Sequence, residues 1–321
     1  LIGTVFAETD TAVTAAVTAV PQINTAMRSY NKTTRQGITV SLKIFASVIF
    51  TAWLAIAATT AAAQTNPPAK IINLRAVAGG GQTLDAAIDG HAGAFLFDSG
   101  WGVSSVTPHY AELIGCKPWG KMFGFRATGE RVDAERCNSA VLNLAGVALE
   151  MPTLGVIDLM KYMPKSVVTY AGALGLDAFD GRAITIRSRA RQLILESPGS
   201  LAARVTRAHR VPIRLVRDVQ GAALSADIGV PTASGMIWLE LDTGNYGGTM
   251  IGRHVAQLVG LDPKAKGGQD LHMQIIPGIT VAGRARIGDY IMDGNIGEDF
   301  LDQWDLTLDL SNGRGWLAPA E

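Results

Sequence analysis

The chain repeats itself. An apolar segment ending in Asp-Ser-Gly in its first half has a counterpart ending in Asp-Thr-Gly in its second. AFLFDSGWGVSSVTPHYAELIG (94–115) runs through an apolar strand, the triplet and a short helix closing on Leu-Ile-Gly. IWLELDTGNYGGTMIGRHVAQLVG (237–260) passes through the same series and closes on Leu-Val-Gly. A hairpin-rich stretch follows each, and then a second matching block: AGALGLDAFDGRAITIRSRARQLIL (171–195) and DGNIGEDFLDQWDLTLDLSNGRGWL (293–317). Both of these place a hydrophobic residue before Gly, then an acidic turn, a strand, a basic turn and a final apolar strand. A repeat of this kind has to become one structural unit per copy. The order of the four blocks therefore requires two half-molecules of like design, joined near residues 196–212.

Each half reads as β-structure. LDAAIDG (84–90), AFLFDSG (94–100) and VLNLAGVAL (141–149) alternate apolar and polar residues and are separated by Gly, Asp and Asn. Period-two alternation broken by turn residues marks half-buried strands, many of them in hairpins. Helical stretches are few and short, around Pro108 to Ile114, Leu201 to Arg207 and Arg253 to Val259. The expectation is a mostly-β protein built of barrels or sandwiches. With 48% hydrophobic and 17% charged residues the chain can fill a sizeable core. Lys plus Arg and Asp plus Glu number 28 each, so the surplus positive charge of a nucleic-acid binder is missing. The arginine-rich stretch from Arg182 to Arg217 has no interleaved aromatics and reads as a solvated face and linker.

Asp98 and Asp242 carry the chemistry. Each ends an apolar strand, where a carboxylate is costly unless paired or hydrogen-bonded. Gly100 and Gly244, two residues on, let the backbone turn tightly and aim N–H groups back at the acid. An approximate two-fold relation between the halves would bring the carboxyls together. Two carboxyls in contact cannot both ionise, so one keeps its proton and the pair titrates as a unit. Such a pair can hold a water, with one member as general base and the other polarising a carbonyl.

On these residues the sequence resembles the pepsin and retropepsin-like aspartic proteases, particularly bacterial proteins with two retroviral-type lobes in one chain. Asp98-Ser99-Gly100 and Asp242-Thr243-Gly244 match the family's active-site triplets. Leu174-Gly175 and Ile296-Gly297 match its later hydrophobic-Gly element. The resemblance covers roughly residues 70–318 and implies an all-β, bilobal aspartic-protease-like fold, two similar six-stranded-type β-barrel lobes with a cleft between them. It implies an endopeptidase with Asp98 and Asp242 as catalytic pair, and Ser99 and Thr243 bonding across to the opposite loop. No cofactor or metal is implied, and a monomer suffices because both triplets lie in one chain. The partner would be a peptide or protein substrate, bound as an added strand under a flap. The candidate flap is the hairpin 122–135 turning at Thr128-Gly129, and a matching hairpin at 272–283 turns at Pro277-Gly278. Phe123, Phe125 and Trp101 are candidate pocket residues, with core or turn packing an alternative of at least the same weight for each. Trp101 and Asn245 follow the triplets where the family often has Ala, Ser or Thr; they favour a rival reading, a catalytically silent peptide-binding module.

From Met27 the chain shows a basic region, an apolar run at 44–58 and an Ala61-x-Ala63 site, the parts of a secretory signal peptide. An uncleaved anchor is the alternative, and the only membrane contact expected; both readings imply export, to the periplasm or beyond. The expected organisation is an upstream extension at 1–26, a signal segment at 27–63, an N-terminal lobe at 64–200 and a C-terminal lobe at 201–321. Cys116 and Cys137 fit either a disulfide closing a short loop or two buried thiols. Other sites are weaker. The five histidines form no His-x-x-x-His pair, Gly79 to Gly81 reads as a surface turn, and Glu298, Asp299, Asp302 and Asp305 read as solvated turn residues.

Overall fold

The computed structural model describes residues 4–8, 68–78, 80–161 and 170–321, the first of these as backbone only. The signal segment and most of the upstream extension lie outside the described residues. Among those described, no helix is long and apolar enough to cross a membrane.

The alternating segments form strands whose burial follows the alternation. In Ala140–Leu144 the odd members face solvent while Ala140, Leu142 and Leu144 are buried. Each such leucine contributes about 2 kcal/mol on leaving water. The strands assemble into three sheets of eleven, six and seven members. The eleven-stranded sheet belongs to the first half and the seven-stranded sheet to the second.

Both lobe sheets share one central pattern. In the first half, His91–Phe97 lies parallel to Gly172–Leu174, which is antiparallel to Ser105–Val106, which is parallel to Leu154–Val156. In the second, Gly235–Leu241 lies parallel to Gly294–Ile296, which is antiparallel to Thr249–Gly252, which is parallel to Ile279–Gly288. The short strand that ends in each hydrophobic-Gly element is thus threaded between the strand that leads into the triplet and the strand that leaves it. This is the structural content of the sequence repeat.

The last strands of each half behave differently from a closed barrel per lobe. Ala183–Arg187 and Gln192–Leu195 leave the first lobe and join Trp304–Asp309 and Arg314–Pro319 of the second in the six-stranded sheet. Lys70–Asn73 and His209–Val211 complete its edges. Buried Thr185 and Thr307 hydroxyls meet at 2.9 Å at the seam, and Arg187 pairs with Asp305 at 2.7 Å. Asp305 is therefore a buried inter-half partner rather than a solvated turn residue.

The helices are short for identifiable reasons. Pro108–Leu113 has Pro at its first turn, and Thr107 Oγ1 accepts the Tyr110 N–H at its cap. Pro198–Val205, the joint between halves, begins earlier than the apolar pattern indicates because Ser197 and Ser200 form a capping box there. At 253–259 only a 3-10 turn forms, Ala256–Val259, ended by Gly260 at φ 76°. Thr4–Glu8, expected to stand outside the fold, pairs antiparallel with Trp119–Arg126, covering the open edge of that hairpin.

A disulfide joins Cys116 to Cys137, Cα atoms 5.8 Å apart and 21 residues apart in sequence. Closing a loop of that size removes about 3 kcal/mol of unfolded-chain freedom. Replacing both cysteines with alanine is expected to lower the melting temperature by roughly 6–12 °C, measured by circular dichroism. Reductant should then leave the variant's melting curve unmoved while lowering that of the parent.

Candidate active site

The two triplets meet between the lobes with matching bonds. Asp98 N–H donates to Leu174 O and Asp242 N–H to Ile296 O, both at 3.0 Å, so each threaded strand fixes the start of a turn. Gly100 N–H donates to Asp98 Oδ1 at 2.9 Å, and Gly244 N–H to Asp242 Oδ1 at 2.7 Å. The hydroxyl residues cross between lobes. Ser99 Oγ accepts the Thr243 N–H (2.9 Å) and donates to Leu241 O (2.6 Å). Thr243 Oγ1 accepts the Ser99 N–H (3.0 Å) and donates to Phe97 O (3.4 Å). Every one of these groups is buried, so breaking a bond would strand a polar atom away from water.

This clamp holds Asp98 and Asp242 against one another, at 8% and 1% exposure. A β-carbon on Gly244 would stand 2.3 Å from Asp98 Oδ2, and one on Gly100 2.7 Å from Asp242 Cγ. Only glycine fits either place. Burial, the Asp242 charge and a hydrogen bond to Asp242 hold the Asp98 carboxyl well above the usual carboxylate range.

The halves differ around the pair. Asn295 Nδ2 donates to Asp242 Oδ2 at 2.6 Å and to Glu240 Oε2 at 3.1 Å. Asn245 Nδ2 in turn donates to Asn295 Oδ1 (2.6 Å) and Gly248 O (2.8 Å), which sets the orientation of the Asn295 amide. At the corresponding places in the first half stand Leu96 and Ala173, which donate nothing. Asp242 therefore receives an N–H on each oxygen, as an acceptor-only carboxylate requires, and Asp98 receives one backbone N–H. Glu240 is buried, and burial followed by the charges of Asp242, Asp227 and Asp98 pushes its carboxyl well up.

The other expected site residues fall in two groups. Trp101 is 1% exposed and sits in a second core of the first lobe with Leu96, Met122, Leu159 and Tyr170; its indole donates to Ser105 Oγ at 2.7 Å. Asn245 is fully buried in the support role just described. Neither offers surface to a substrate, because the turn after each triplet points its fourth residue inward. Phe123 and Phe125 pack edge to face, centroids 5.9 Å apart, with Arg131 over Phe123, and neither borders the cavity beside Asp242. They lie on the face of the hairpin opposite buried Met122.

Thr128 does reach the site, and Gly129 beside it faces Ile291 of the second lobe. The hairpin Trp119–Arg126/Arg131–Cys137 crosses the cleft, and Ile291 N–H of the second lobe donates to Ala127 O at 3.0 Å. Beneath the tip lies a cavity of about 130 Å³ bounded by Thr128, Asp242, Met250 and Asn295. The tip of the second hairpin, at Gly278, has nothing within 4 Å of a β-carbon placed there.

Gly80 and Gly81 are not a free surface turn. Their missing β-carbons make room for the Tyr246 ring, whose atoms would lie 2.4 and 2.2 Å from β-carbons there. Burial raises the Tyr246 phenol strongly, and the Asp98 and Asp242 charges raise it further.

A larger cavity of about 520 Å³ lies elsewhere, lined by Glu150, Asp177, Asp180 and Gln220, and holds no contacting carboxyl pair. Asp177 accepts from Ser104 N–H (2.7 Å) and Ser104 Oγ–H (2.6 Å), yet burial pushes its carboxyl up to about 7. An acid whose folded value is raised stabilises fully below its unfolded value and loses that contribution as pH rises through the folded one. Part of the wild-type stability is thus expected to disappear between about pH 4 and 7. Melting curves at pH 4, 5.5 and 7.5 should show this, and Asp177→Asn should flatten the decline.

No protein-family model matches the sequence, and no curated protein does. Among solved structures the chain is similar to basic 7S globulin from soybean, at TM-score 0.51 and 11% identity, covering 78% of this chain and 96% of that one. Conglutin gamma, a basic 7S globulin from lupine seeds, aligns at TM-score 0.49 and 12% identity, covering 79% of this chain and 95% of that one. At 11% identity the soybean likeness concerns the fold alone. That fold is all-β and bilobal, two similar curled sheets with a cleft between them.

Proposed function

We propose that this chain is an aspartic-type endopeptidase that hydrolyses peptide bonds with a water activated by Asp98 and Asp242. The observation that carries the reading is the buried, mutually bonded carboxyl pair, held by symmetric loops whose hydroxyls interlock across the cleft. A binding module has no use for two carboxyls forced together, since their repulsion and desolvation oppose folding.

Asp242, with N–H donors on both oxygens, takes the proton of the water as it attacks the scissile carbonyl carbon. Asp98 gives its proton to the carbonyl oxygen, leaving a neutral gem-diol. In the second step the proton on Asp242 passes to the amide nitrogen. Asp98 recovers a proton from one diol hydroxyl, the carbon–nitrogen bond breaks and the acid and amine leave. The pair ends as it began, and no cofactor enters. The hairpin tip at Thr128 and Gly129 covers the reacting bond and excludes bulk water.

The rival reading, a silent peptide-binding module in the cell envelope, drew on Trp101 and Asn245. Both are buried in supporting positions, which removes that ground. As an exported protein the enzyme would act on peptides or proteins outside the cytoplasm, as a monomer.

Protein beginning at Gln64, incubated with a diverse peptide library between pH 3 and 7, tests the reading. Cleavage blocked by a statine-type inhibitor, and missing in Asp98→Asn and Asp242→Asn proteins, is the expected result. Folded protein that binds peptides and cuts none at any pH would establish the binding module instead.

A further inference from the structure

We infer that the cavity on the Asp242 side of the pair receives an acidic side chain of the substrate, glutamate above all, and that Arg286 selects it. The inference rests on the peptidase reading and names its substrate class: peptides with a carboxylate near the scissile bond.

A single row of residues across the second lobe's sheet builds the pocket. Strand register sets Glu240 opposite Asn295, Asn295 opposite Met250, Met250 opposite Arg286, and Arg286 opposite Gly268. Residues in register on neighbouring strands share a face and stand about 5 Å apart. The row therefore runs from the amide that holds Asp242, through an apolar methionine, to Arg286, whose backbone lies two strand spacings, about 10 Å, from that of Asn295. A bound extended peptide puts alternate side chains on one face about 7 Å apart, so Arg286 meets a residue within a position or two of the bond being cut.

The row also explains why Arg286 is available. Arg284, two residues earlier on the strand, faces Asp270 across the sheet and pairs with it at 2.9 Å. Arg286 faces Gly268, which has no side chain, and it forms no ion pair among the described residues. Its guanidinium lies over Gly247, where a β-carbon would come within 2.4 Å of Nη2. Arg126 stands on the facing hairpin with its charge paired to Glu130 at 3.0 Å.

Chemistry decides the occupant. Buried Met250 and Ala127 supply an apolar floor suited to methylenes, while Arg286 and the Tyr290 side chain bound the mouth. A leucine there would cover the guanidinium and give it no partner, which is costly. A glutamate lays its methylenes on Met250 and offers two oxygens to a planar fork. At about 130 Å³ the cavity holds one such side chain.

The test uses Asp98→Asn protein at pH 6 and a set of fluorescent octapeptides. Glu, Gln or Leu is placed at each position in turn, and binding is read by anisotropy. At one position Glu is expected to bind about 10- to 100-fold tighter than Gln, with the ratio shrinking in 0.5 M salt. Arg286→Gln should bring Glu down to the Gln level, and Arg286→Lys should restore part of the difference. No position preferring Glu, or a preference that survives Arg286→Gln, would overturn the inference, as would failure of every peptide to bind. Wild-type cleavage of the same peptides separates the two claims. Glu and Gln peptides cut equally would sink the acidic pocket and leave the peptidase standing. An Arg286-dependent Glu preference in binding, with no cleavage by wild type, would sink the peptidase and keep the pocket.

Discussion

Asp98→Asn is expected to lower kcat/KM by about 10³- to 10⁴-fold while raising the melting temperature at pH 7. The activity falls because an amide has no proton to give the carbonyl oxygen. The stability rises because the substitution removes a desolvated acid from beside a second one. An asparagine oxygen still accepts the Gly100 N–H, so no bond is lost there. Asp242→Asn should lose activity to the same degree but cost roughly 1 kcal/mol of stability. Its amide has one acceptor where Asp242 has two, both used, by Gly244 N–H and Asn295 Nδ2.

The pH dependence follows from the sign of the Asp98 shift. Its folded value is raised, so its contribution to stability is whole below about pH 4 and declines as pH climbs toward the folded value. Wild type should therefore melt lower at pH 7 than at pH 4.5, and Asp98→Asn should show a smaller gap. Calorimetry at both pH values checks this, alongside turnover of a peptide identified as a substrate. A variant with full activity would remove Asp98 from the mechanism.

Gly244→Ala tests the geometry rather than the chemistry. The added carbon would lie 2.3 Å from Asp98 Oδ2 and 2.5 Å from Cγ, contacts that real β-carbons do not make. Asp98 has nowhere to retreat, since Ser99 and Gly100 are bonded to the other loop and to its own carboxyl. The expected outcome is a loss of about 1–3 kcal/mol in stability by overpacking. Activity should fall by about 10²-fold or more, because a displacement near 1 Å at reacting groups has that effect. Gly100→Ala should behave alike, with its new carbon 2.7 Å from Asp242 Cγ. Wild-type turnover in either variant would mean the carboxyls do not lie as described.

The repeat made much of this readable in advance. Asp-Ser-Gly and Asp-Thr-Gly, each with a later hydrophobic-Gly partner, located both carboxyl-bearing loops and the strands threaded beside them. Alternation gave the hairpins, including the one that carries Thr128 and Gly129. What escaped was contact between elements distant in sequence. Nothing local in Asn295 says that its amide will bridge Asp242 and Glu240. A clue was present, since Asn295 and Glu240 occupy places where the first half has Ala173 and Leu96, and an asymmetry inside a repeat marks a divided role. Glu240 was also legible as lying on the face of Asp242, two residues along the same strand. For Trp101 the sequence left a pocket position and core packing both open; the structure buries it, because a tight turn sends successive side chains in opposite directions. Gly80 and Gly81 looked like a turn because glycine says that a side chain is missing and not what fills the gap. The shared sheet could not be seen for a related reason: strand period fixes which face is buried and leaves the neighbouring strand open.

That shared sheet has a consequence for how the molecule comes into being. Ala183–Arg187 acquires its outer neighbour only when Trp304–Asp309 has been made, and His209–Val211 waits for Arg314–Pro319. A chain emerging from a ribosome, or threading through a translocation pore, exposes Asp98 long before the strands that lock the halves together arrive. A nascent chain carries one of the two carboxyls alone, and the pair can form only once Asp242 and the strand ending at Ile296 have been made.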